Sequence, residues 1–398
     1  MKDYVVVSFI SHNWEMFQRV PHYACLAKYK KVVCVELPLT IFDLIFRPVR
    51  IWKQRSKIKN RLRQINENLY VFTPIAVAPF GLSYLSKVLS KMNRFFISRQ
   101  VKKLTHDLQI KSYIIIVHDP YLSCLVDILD PLARVYEIAD EECISEEHAD
   151  LDKLNFTMRA LQIEERKIFD KVDIVFVTAI KLLERKRQYN SNIFYIPNGV
   201  DLEHFWCYEK KELLDMMPIH RPRIGYIGHI NTFINFEWVD YCVAKHPDWS
   251  FVFIGIIDNK KILNGDAHYL RFKKRKNVFM LGWKRYEDLP VYMQEVDVFL
   301  LPRRDCDYSQ NSNPNKLYQY FSTGKPIVST RFSSVESFEG PVFVADNKLE
   351  FSGYLEEAIS ENDDTKKEQR MKIARRFDLK LRAQEKIDII NGYLQNNI

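Results

Sequence analysis

The sequence lacks the features that mark secreted, zinc-binding or membrane-spanning proteins. Its seven cysteines are odd in number and scattered, and no two form a C-x-x-C pair, so neither a disulfide framework nor a zinc site is predicted. No run of 18 apolar residues occurs, and the first ten residues hold no small-residue cleavage site. We therefore expect a cytoplasmic chain that is neither secreted nor membrane-spanning.

The sequence is rich in residues that build a folded core. Hydrophobic residues make up 47% of the 398, with 21 Tyr and 26 Phe, which excludes disordered and fibrous classes. Since one domain takes about 150 residues, a chain of this length predicts two or three domains, and we favour two.

Positive charge is concentrated near the N-terminus. Residues 1–111 carry 20 Lys and Arg against 6 Asp and Glu, a net +14. Two stretches, 46–63 and 82–103, interleave basic and large apolar residues, a pattern typical of amphipathic helices on an anionic membrane. A solvated basic face is the main alternative, and a nucleic-acid patch is less favoured. We expect region 42–103 to contact an anionic membrane surface, with no nucleic-acid partner.

Short runs of continuous hydrophobicity predict two series of buried strands. Such runs are typical of parallel strands covered on both faces. The first series is predicted at 4–9, 32–36, 69–72, 113–117, 134–138, 174–177 and 193–196, and the second at 223–227, 250–254, 278–281, 298–301, 327–329 and 341–344. The polar stretch 210–223 resembles a connection between domains. The fold class is therefore α/β, with two doubly wound Rossmann-like domains.

The segment 313–330 predicts a short helix that runs into a buried strand. Asn313 is a good N-cap, and Gly324 suits the left-handed residue that ends a helix. The free amides of Asn315 and Lys316, the helix dipole and the Lys316 ammonium together favour an anion such as a diphosphate. The alternative is an ordinary helix–strand unit whose first turn binds nothing.

Loops that follow strands hold further candidates, because ligands of open α/β sheets bind there. The candidate ligand-binding residues in these loops, in chain order, are Gly228, His229, Gly282, Trp283, Lys284 and Arg303. Trp283 is equally consistent with a core position. Asp140, Glu141 and Glu142 follow a first-domain strand and are the best sources of a general base.

Two segments resemble GT-B glycosyltransferases. IPNGVDLEHF at 196–205 resembles the interdomain signature of the family-four type, and 316–330 resembles its donor-site helix. Residues 277–302, with Trp14, Arg19 and His22, are similar to bacterial teichuronic-acid and xanthan glucuronosyltransferase-like relatives. The resemblance implies a GT-B architecture with an interdomain cleft.

The resemblance also implies roles for individual residues. Lys316 would meet the donor diphosphate and Gln319 its ribose or phosphate. Asn311 and Gln319 occupy the positions of the two glutamates of the family-four pattern, which weakens the case for retaining chemistry. The inverting relatives use an N-domain aspartate that best matches Asp140, with Glu141 as the alternative.

The same resemblance sets the expected domains and acceptor residues. Residues 1–199 would form a membrane-facing acceptor domain, 200–375 the nucleotide-sugar domain, and 376–398 a helix that packs back on the first. His12, Trp14 and Arg19 would lie on the acceptor side.

The predicted function is glycosyl transfer from a nucleotide sugar, most simply a UDP-sugar, to a lipid-linked saccharide in cell-surface polysaccharide synthesis. We expect inverting chemistry without metal or other cofactor, at the inner face of the cytoplasmic membrane. Two alternatives stay open: a nucleotide-sugar epimerase or other GT-B enzyme such as a phosphorylase, and a non-catalytic membrane-associated partner that keeps a nucleotide pocket.

Overall fold

The chain folds into two compact units. The computed structural model describes residues 3–10, 12, 14, 20–46, 55–79, 86–139, 161–209, 211–258 and 263–397. Unit 1 comprises Met1–Ile196 and Arg382–Ile398, and unit 2 comprises Pro197–Leu381.

Unit 1 is built on a mainly parallel sheet. Its described strands are Val5–Phe9 (β1), Val32–Val35 (β2), Leu39–Thr40 (β3), Leu62–Asn66 (β4), Leu69–Phe72 (β5), Ile75–Ala76 (β6), Tyr113–Val117 (β7), Arg134–Ile138 (β8), Ile174–Val177 (β9) and Ile193–Tyr195 (β10). The main sheet has the order β10-β9-β8-β7-β1-β2-β5-β4, and β3 pairs separately with β6. Only β4 runs antiparallel to its neighbour among the described pairs of this sheet.

The described helices of unit 1 lie between these strands. They include Val20–Leu26 (α1), Ile41–Phe46 (α2), Arg55–Lys59 (α3), Lys87–Asp107 (α4) and Ile180–Lys186 (α5), with a 3₁₀ helix at Pro120–Leu125, and residues 161–169 are also helical. The longest, α4, begins after Ser86, whose side chain accepts a hydrogen bond from the amide of Leu89. Its buried face includes Ile97, Val101 and Leu104.

Unit 2 is built on a wholly parallel sheet. Its strands are Arg223–Ile227 (β11), Ser250–Ile254 (β12), Val278–Gly282 (β13), Val298–Leu301 (β14), Ile327–Thr330 (β15) and Phe343–Ala345 (β16), in the order β13-β12-β11-β14-β15-β16. Its described helices are Leu202–Trp206 (α6), Phe236–Lys245 (α7), Ala267–Phe272 (α8), Leu289–Gln294 (α9), Asp307–Gln310 (α10), Asn315–Thr323 (α11), Ser333–Glu336 (α12), Lys348–Ser360 (α13) and Asp364–Arg376 (α14).

The central strands are buried along their whole length, as their continuous hydrophobicity predicts. Every residue of β11, β12, β14 and β15 is buried, and the same holds for β2 and β9 in unit 1. Helices on both faces of a parallel sheet require this pattern. The prediction of parallel α/β sheets is confirmed.

Two local predictions are wrong. The stretch 46–63 was expected to be an amphipathic helix, but its described part contains the short helix α3 and then enters the antiparallel strand β4, which pairs with β5. The expected interdomain connection packs inside unit 2 instead, because Met216 and Ile219 are buried there and their carbonyls accept hydrogen bonds from Arg223.

The last helix, Leu379–Asn397 (α15), lies mostly in unit 1. Lys386 Nζ donates to Glu137 Oε1 at 2.7 Å, and both residues are buried. Tyr393 Oη donates to Asp173 Oδ1 at 3.0 Å. These bonds join the end of the chain to β8 and to the residue preceding β9.

Candidate functional site

The sheet order of unit 2 locates the candidate site. The chain adds β12 and β13 on one side of β11 and then crosses to add β14 on the other. Ligands of open parallel sheets bind beyond the carboxyl ends of strands at such a crossing point. The loops that follow β11 and β14 begin at Gly228 and Pro302, so the predicted residues Gly228, His229 and Arg303 lie at this point.

Glycines let the backbone approach closely at this edge of the sheet. Gly228 and Gly255 adopt φ of 144° and 150°, which favour glycine. A Cβ on Gly255 would lie 1.9 Å from the carbonyl oxygen of Gly228, and a Cβ on Gly228 would lie 2.6 Å from Lys316 Nζ. Only a residue without a side chain therefore allows Lys316 to lie against the end of β11.

Lys316 is held at this edge by Tyr226. Its Nζ donates a 2.6 Å hydrogen bond to Tyr226 Oη and lies 4.3 Å from the centre of the ring. The tyrosine hydroxyl in turn donates to the carbonyl oxygen of His229 at 2.8 Å. Burial of the ammonium group, and secondly the charge of Arg303, lower the pKa of Lys316 to about 7. Among the described residues, no carboxylate pairs with this ammonium.

Arg303 is the second cation at this edge. Its guanidinium lies 5.5 Å from the ring centres of both Tyr308 and Phe332. Thr330 Oγ1 accepts from the Arg303 amide at 2.9 Å and so fixes the backbone. Arg303 Nε is buried without a hydrogen-bond partner among the described atoms, whereas the neighbouring Arg304 pairs with Asp266. Arg303 and Lys316 therefore form a positive site with no described carboxylate partner, which suits a dianionic ligand.

Helix α11 directs its N-terminus towards the same site, but its cap differs from the prediction. The helix begins at Asn315 with Pro314 as N-cap, and within the described residues no side chain caps it. Asn313 is buried and does not cap the helix. Its Oδ1 accepts from the Asn198 amide at 3.1 Å, and its Nδ2 donates to Tyr318 Oη at 2.9 Å. The uncapped first turn leaves backbone amides available to an anion.

Other predictions on α11 agree with its geometry. Gly324 ends the helix with φ of 71°, as predicted. Asn315 Oδ1 is buried without a partner among the described atoms, and so is Oδ1 of Asn311 in the preceding turn. Gln319 is half-buried one turn after Lys316, which places it on the same helix face.

The end of β13 presents Gly282, Trp283 and Lys284. Gly282 has φ of 68°, with no atom within 4 Å of an added Cβ. Trp283 is 62% exposed, so the alternative of a core position is wrong. Lys284 Nζ donates to Asp215 Oδ2 at 2.6 Å, and this bond raises the pKa of Lys284 although burial opposes the shift. Lys284 is thus held in an ion pair within unit 2.

Sequence reasoning missed Asp258. This residue follows β12, and its Oδ2 lies 2.5 Å from Nδ1 of His229. No motif marks it, because the contact depends on the pairing of β11 with β12. The position after a buried strand was the only available signal.

The first-domain candidates differ in whether the structure describes them. Asp140, Glu141 and Arg19 lie outside the described residues. His12 is an exposed residue in a bend, while Trp14 is only 7% exposed and its amide donates to Glu36 Oε2 at 2.7 Å. Trp14 therefore contributes mainly to packing in unit 1.

Unit 1 has its own crossing point, between β1 and β7. Ser8 near the end of β1, Tyr23 on α1 and His118 after β7 meet there: Ser8 Oγ lies 2.6 Å from Tyr23 Oη and 3.1 Å from His118 Nε2, and Tyr23 hydrogen-bonds His118.

The described part of the chain contains neither a helix that could span a membrane nor a cluster of potential metal ligands. No described helix is long and apolar enough to cross a bilayer. No three His, Cys, Asp or Glu side chains lie together there as potential metal ligands.

Residues 221–360 match the family of glycosyl transferases group 1. The putative teichuronic acid biosynthesis glycosyltransferase TuaH of Bacillus subtilis is 29% identical over 191 residues, which cover 46% of this chain and 47% of TuaH. The chain thus matches about half the length of that relative.

Solved structures resemble the whole chain at low identity. Sucrose-phosphate synthase from Thermosynechococcus elongatus has a TM-score of 0.70 with 12% identity and covers 99% of this chain and 100% of its own. Anabaena HepE in complex with UDP and glucose has a TM-score of 0.67 with 13% identity, covering 97% and 99% respectively.

These comparisons confirm the fold class and the resemblance predicted from the sequence. The fold is GT-B, with two Rossmann-like α/β units. The match at 221–360 contains the Lys316 site, and the matched family and relative support glycosyltransferase as the enzyme class.

Proposed function

We propose that this protein is a glycosyltransferase that moves a sugar from a nucleotide sugar to a hydroxyl of a lipid-linked saccharide in cell-surface polysaccharide biosynthesis. The observation that carries the proposal is the presence of two cations, Lys316 and Arg303, at the uncapped N-terminus of α11, with Lys316 against Gly228. UDP is the proposed nucleotide, because the structurally similar HepE was solved with UDP and glucose.

The site suits the leaving group of such a reaction. As the bond between the anomeric carbon and the phosphate oxygen breaks, its electron pair moves to the diphosphate, which gains negative charge. Lys316, Arg303 and the first-turn amides of α11 would stabilise that charge. These groups supply the positive charge that a divalent ion provides in other sites, so we propose a metal-independent reaction.

The acceptor hydroxyl needs a base. We propose Asp140, with Glu141 as the alternative, to take its proton as the oxygen attacks the anomeric carbon and inverts it. The side-chain amides of Asn311 and Gln319 stand where the family-four pattern has glutamates. Their presence supports inversion at the anomeric carbon. Asp140→Asn should abolish transfer while UDP binding is kept, and unchanged transfer would exclude Asp140 as the base.

The exposed face of α4 supports a peripheral membrane location. Val88, Met92, Phe95 and Phe96 are between 41% and 67% exposed and recur at helical spacing. Basic residues accompany them, and α4 has no acidic residue before Asp107. An apolar face bordered by positive charge fits an anionic lipid surface.

Helix α2 extends this surface. Its exposed Ile45 and Phe46 are 64% and 66% accessible. The Val77 carbonyl accepts from the Phe42 amide of α2, and the Val77 amide donates to Asn93 of α4, so one residue joins both helices. We propose that α2 and the first half of α4 place the protein at the inner face of the cytoplasmic membrane, near a lipid-linked acceptor.

Vesicle flotation tests the membrane proposal. Vesicles with anionic lipid should bind the protein, and binding should fall as salt rises. Phe95→Ser with Phe96→Ser should weaken binding, whereas Leu349→Ser, at an equally exposed apolar position in unit 2, should not. Binding that is indifferent to anionic lipid would contradict the proposal.

Ligand binding and product analysis test the catalytic proposal. A thermal-shift screen of UDP-, GDP- and TDP-sugars should show stabilisation by one nucleotide class. Lys316→Ala should lower turnover about 150-fold, equivalent to about 3 kcal/mol, whereas exposed Lys274→Ala should leave it unchanged. A product formed from donor alone would instead indicate an epimerase.

A further inference from the structure

His229 and Asp258 are fixed on an extension of the unit 2 sheet. Beyond the glycines, β11 and β12 continue to pair through Ile230 and Ile257. The Ile230 amide donates to the Ile256 carbonyl at 2.8 Å, and the Asp258 amide donates to the Ile230 carbonyl at 2.9 Å. The two loops are therefore held together by backbone hydrogen bonds at the edge where ligands of such sheets bind.

The two side chains form a hydrogen-bonded pair. His229 Nδ1 lies 2.5 Å from Asp258 Oδ2, and a carboxylate accepts, so the proton lies on Nδ1. Such a bond sets the tautomer and the orientation of the ring. The side chains are 44% and 37% exposed, so both remain accessible to a ligand.

This pair adjoins the phosphate-binding candidates. The His229 carbonyl accepts from Tyr226 Oη, which accepts from Lys316 Nζ, so two hydrogen bonds separate the histidine backbone from the ammonium. Arg303 and Asp258 both act on the Tyr226 hydroxyl electrostatically. The charged and titratable groups described around His229 are thus Asp258, Tyr226, Lys316 and Arg303.

A carboxylate at an anion site needs an explanation, because alone it would repel a diphosphate. We propose that Asp258 is a positioning residue that orients His229 towards the donor diphosphate, so that the protonated imidazole adds a third cation to Lys316 and Arg303. The inference rests on the proposed function and extends it. The favourable effect of Asp258 on diphosphate binding then exceeds its repulsion only while His229 is present.

The direction in which Asp258→Asn changes UDP affinity shows whether Asp258 only repels the diphosphate or also positions His229. If Asp258 acts only as a negative charge, Asp258→Asn tightens UDP binding in any background. If Asp258 acts through His229, the same change weakens UDP binding in the wild-type background at about pH 6, below the pKa of Lys316, where its ammonium is largely charged. With His229→Gln already present, Asp258→Asn should only relieve repulsion.

Calorimetric titration of UDP into the full chain tests this. At about pH 6, Asp258→Asn and His229→Gln should each weaken binding about tenfold, and the double variant should bind no more weakly than His229→Gln. Asp258→Glu should partly restore binding. Asp248→Asn, at an exposed position before β12, is the matched control.

Tighter or unchanged UDP binding by Asp258→Asn at about pH 6, or additive losses in the double variant, would overturn the inference. Failure of the wild-type chain to bind any nucleoside diphosphate would contradict the proposed function as well. The two failures are distinguishable because the second appears without any substitution. Circular dichroism and melting temperature check that each variant is folded.

Discussion

Raising the pH through neutrality should weaken UDP binding, because Lys316 loses its proton. In the ligand-free protein, burial and then the charge of Arg303 lower the pKa of Lys316 to about 7. A bound diphosphate favours the charged form and raises this pKa. Affinity should therefore be nearly constant below the ligand-free pKa and fall about tenfold per pH unit above it, until the pKa of the complex is reached.

Calorimetric titrations in two buffers with different heats of protonation measure the number of protons that are taken up when UDP binds. Near pH 8, one unit above the ligand-free pKa, binding should take up about 0.9 proton per site. The phosphate groups of UDP are ionised there, since the second pKa of a phosphate is about 6, so the uptake reports on the protein.

Lys316→Met is the decisive variant for this prediction. This variant should bind UDP weakly and should take up no proton near pH 8. Its affinity should not fall above pH 7, apart from any change caused by titration of UDP itself. Lys274→Met should behave as wild type. Wild-type binding that takes up no proton and stays constant between about pH 7 and 9 would refute the reasoning about Lys316.

Three further outcomes are expected. Lys316→Met should raise the melting temperature of the ligand-free protein, because it removes a buried charge with no described carboxylate partner; a lower one would show that the ammonium stabilises the fold. Gly228→Ala should abolish UDP binding in a folded protein, since the new Cβ would lie 2.6 Å from Lys316 Nζ, whereas Gly353→Ala, which meets no atom within 4 Å, should be tolerated; retained binding would contradict the packing. Arg370→Met should destabilise unit 2 by about 3–5 kcal/mol in urea unfolding, because Glu361 loses its buried partner; a change under about 1 kcal/mol would show that Glu361 is readily solvated.

The sequence predicted the strands well because they are buried on both faces. Runs such as Tyr113–Val117 and Ser250–Ile254 have the bounds expected from continuous hydrophobicity. The mostly exposed edge strand Leu62–Asn66 was missed, since it pairs with Leu69–Phe72 on one edge only and its polar residues leave no continuous hydrophobic run.

The sequence predicted features of the candidate site that depend on local spacing along the chain, and it missed those that depend on tertiary contacts. Lys316 lies in the first turn of α11 and Gly324 directly follows its last residue, so spacing along the chain was sufficient to predict both. Asn313 was misassigned as a cap because its actual partners, Asn198 and Tyr318, include a residue 115 positions away. The Asp258 contact and the Lys284–Asp215 pair likewise depend on tertiary packing that no local pattern encodes.

A crystal structure of the full chain with UDP tests the central claim most directly. The account predicts a diphosphate oxygen within hydrogen-bonding distance of Lys316 Nζ and of the first-turn amides of α11, beside Gly228. A diphosphate bound elsewhere, with Lys316 still bonded only to Tyr226, would contradict it.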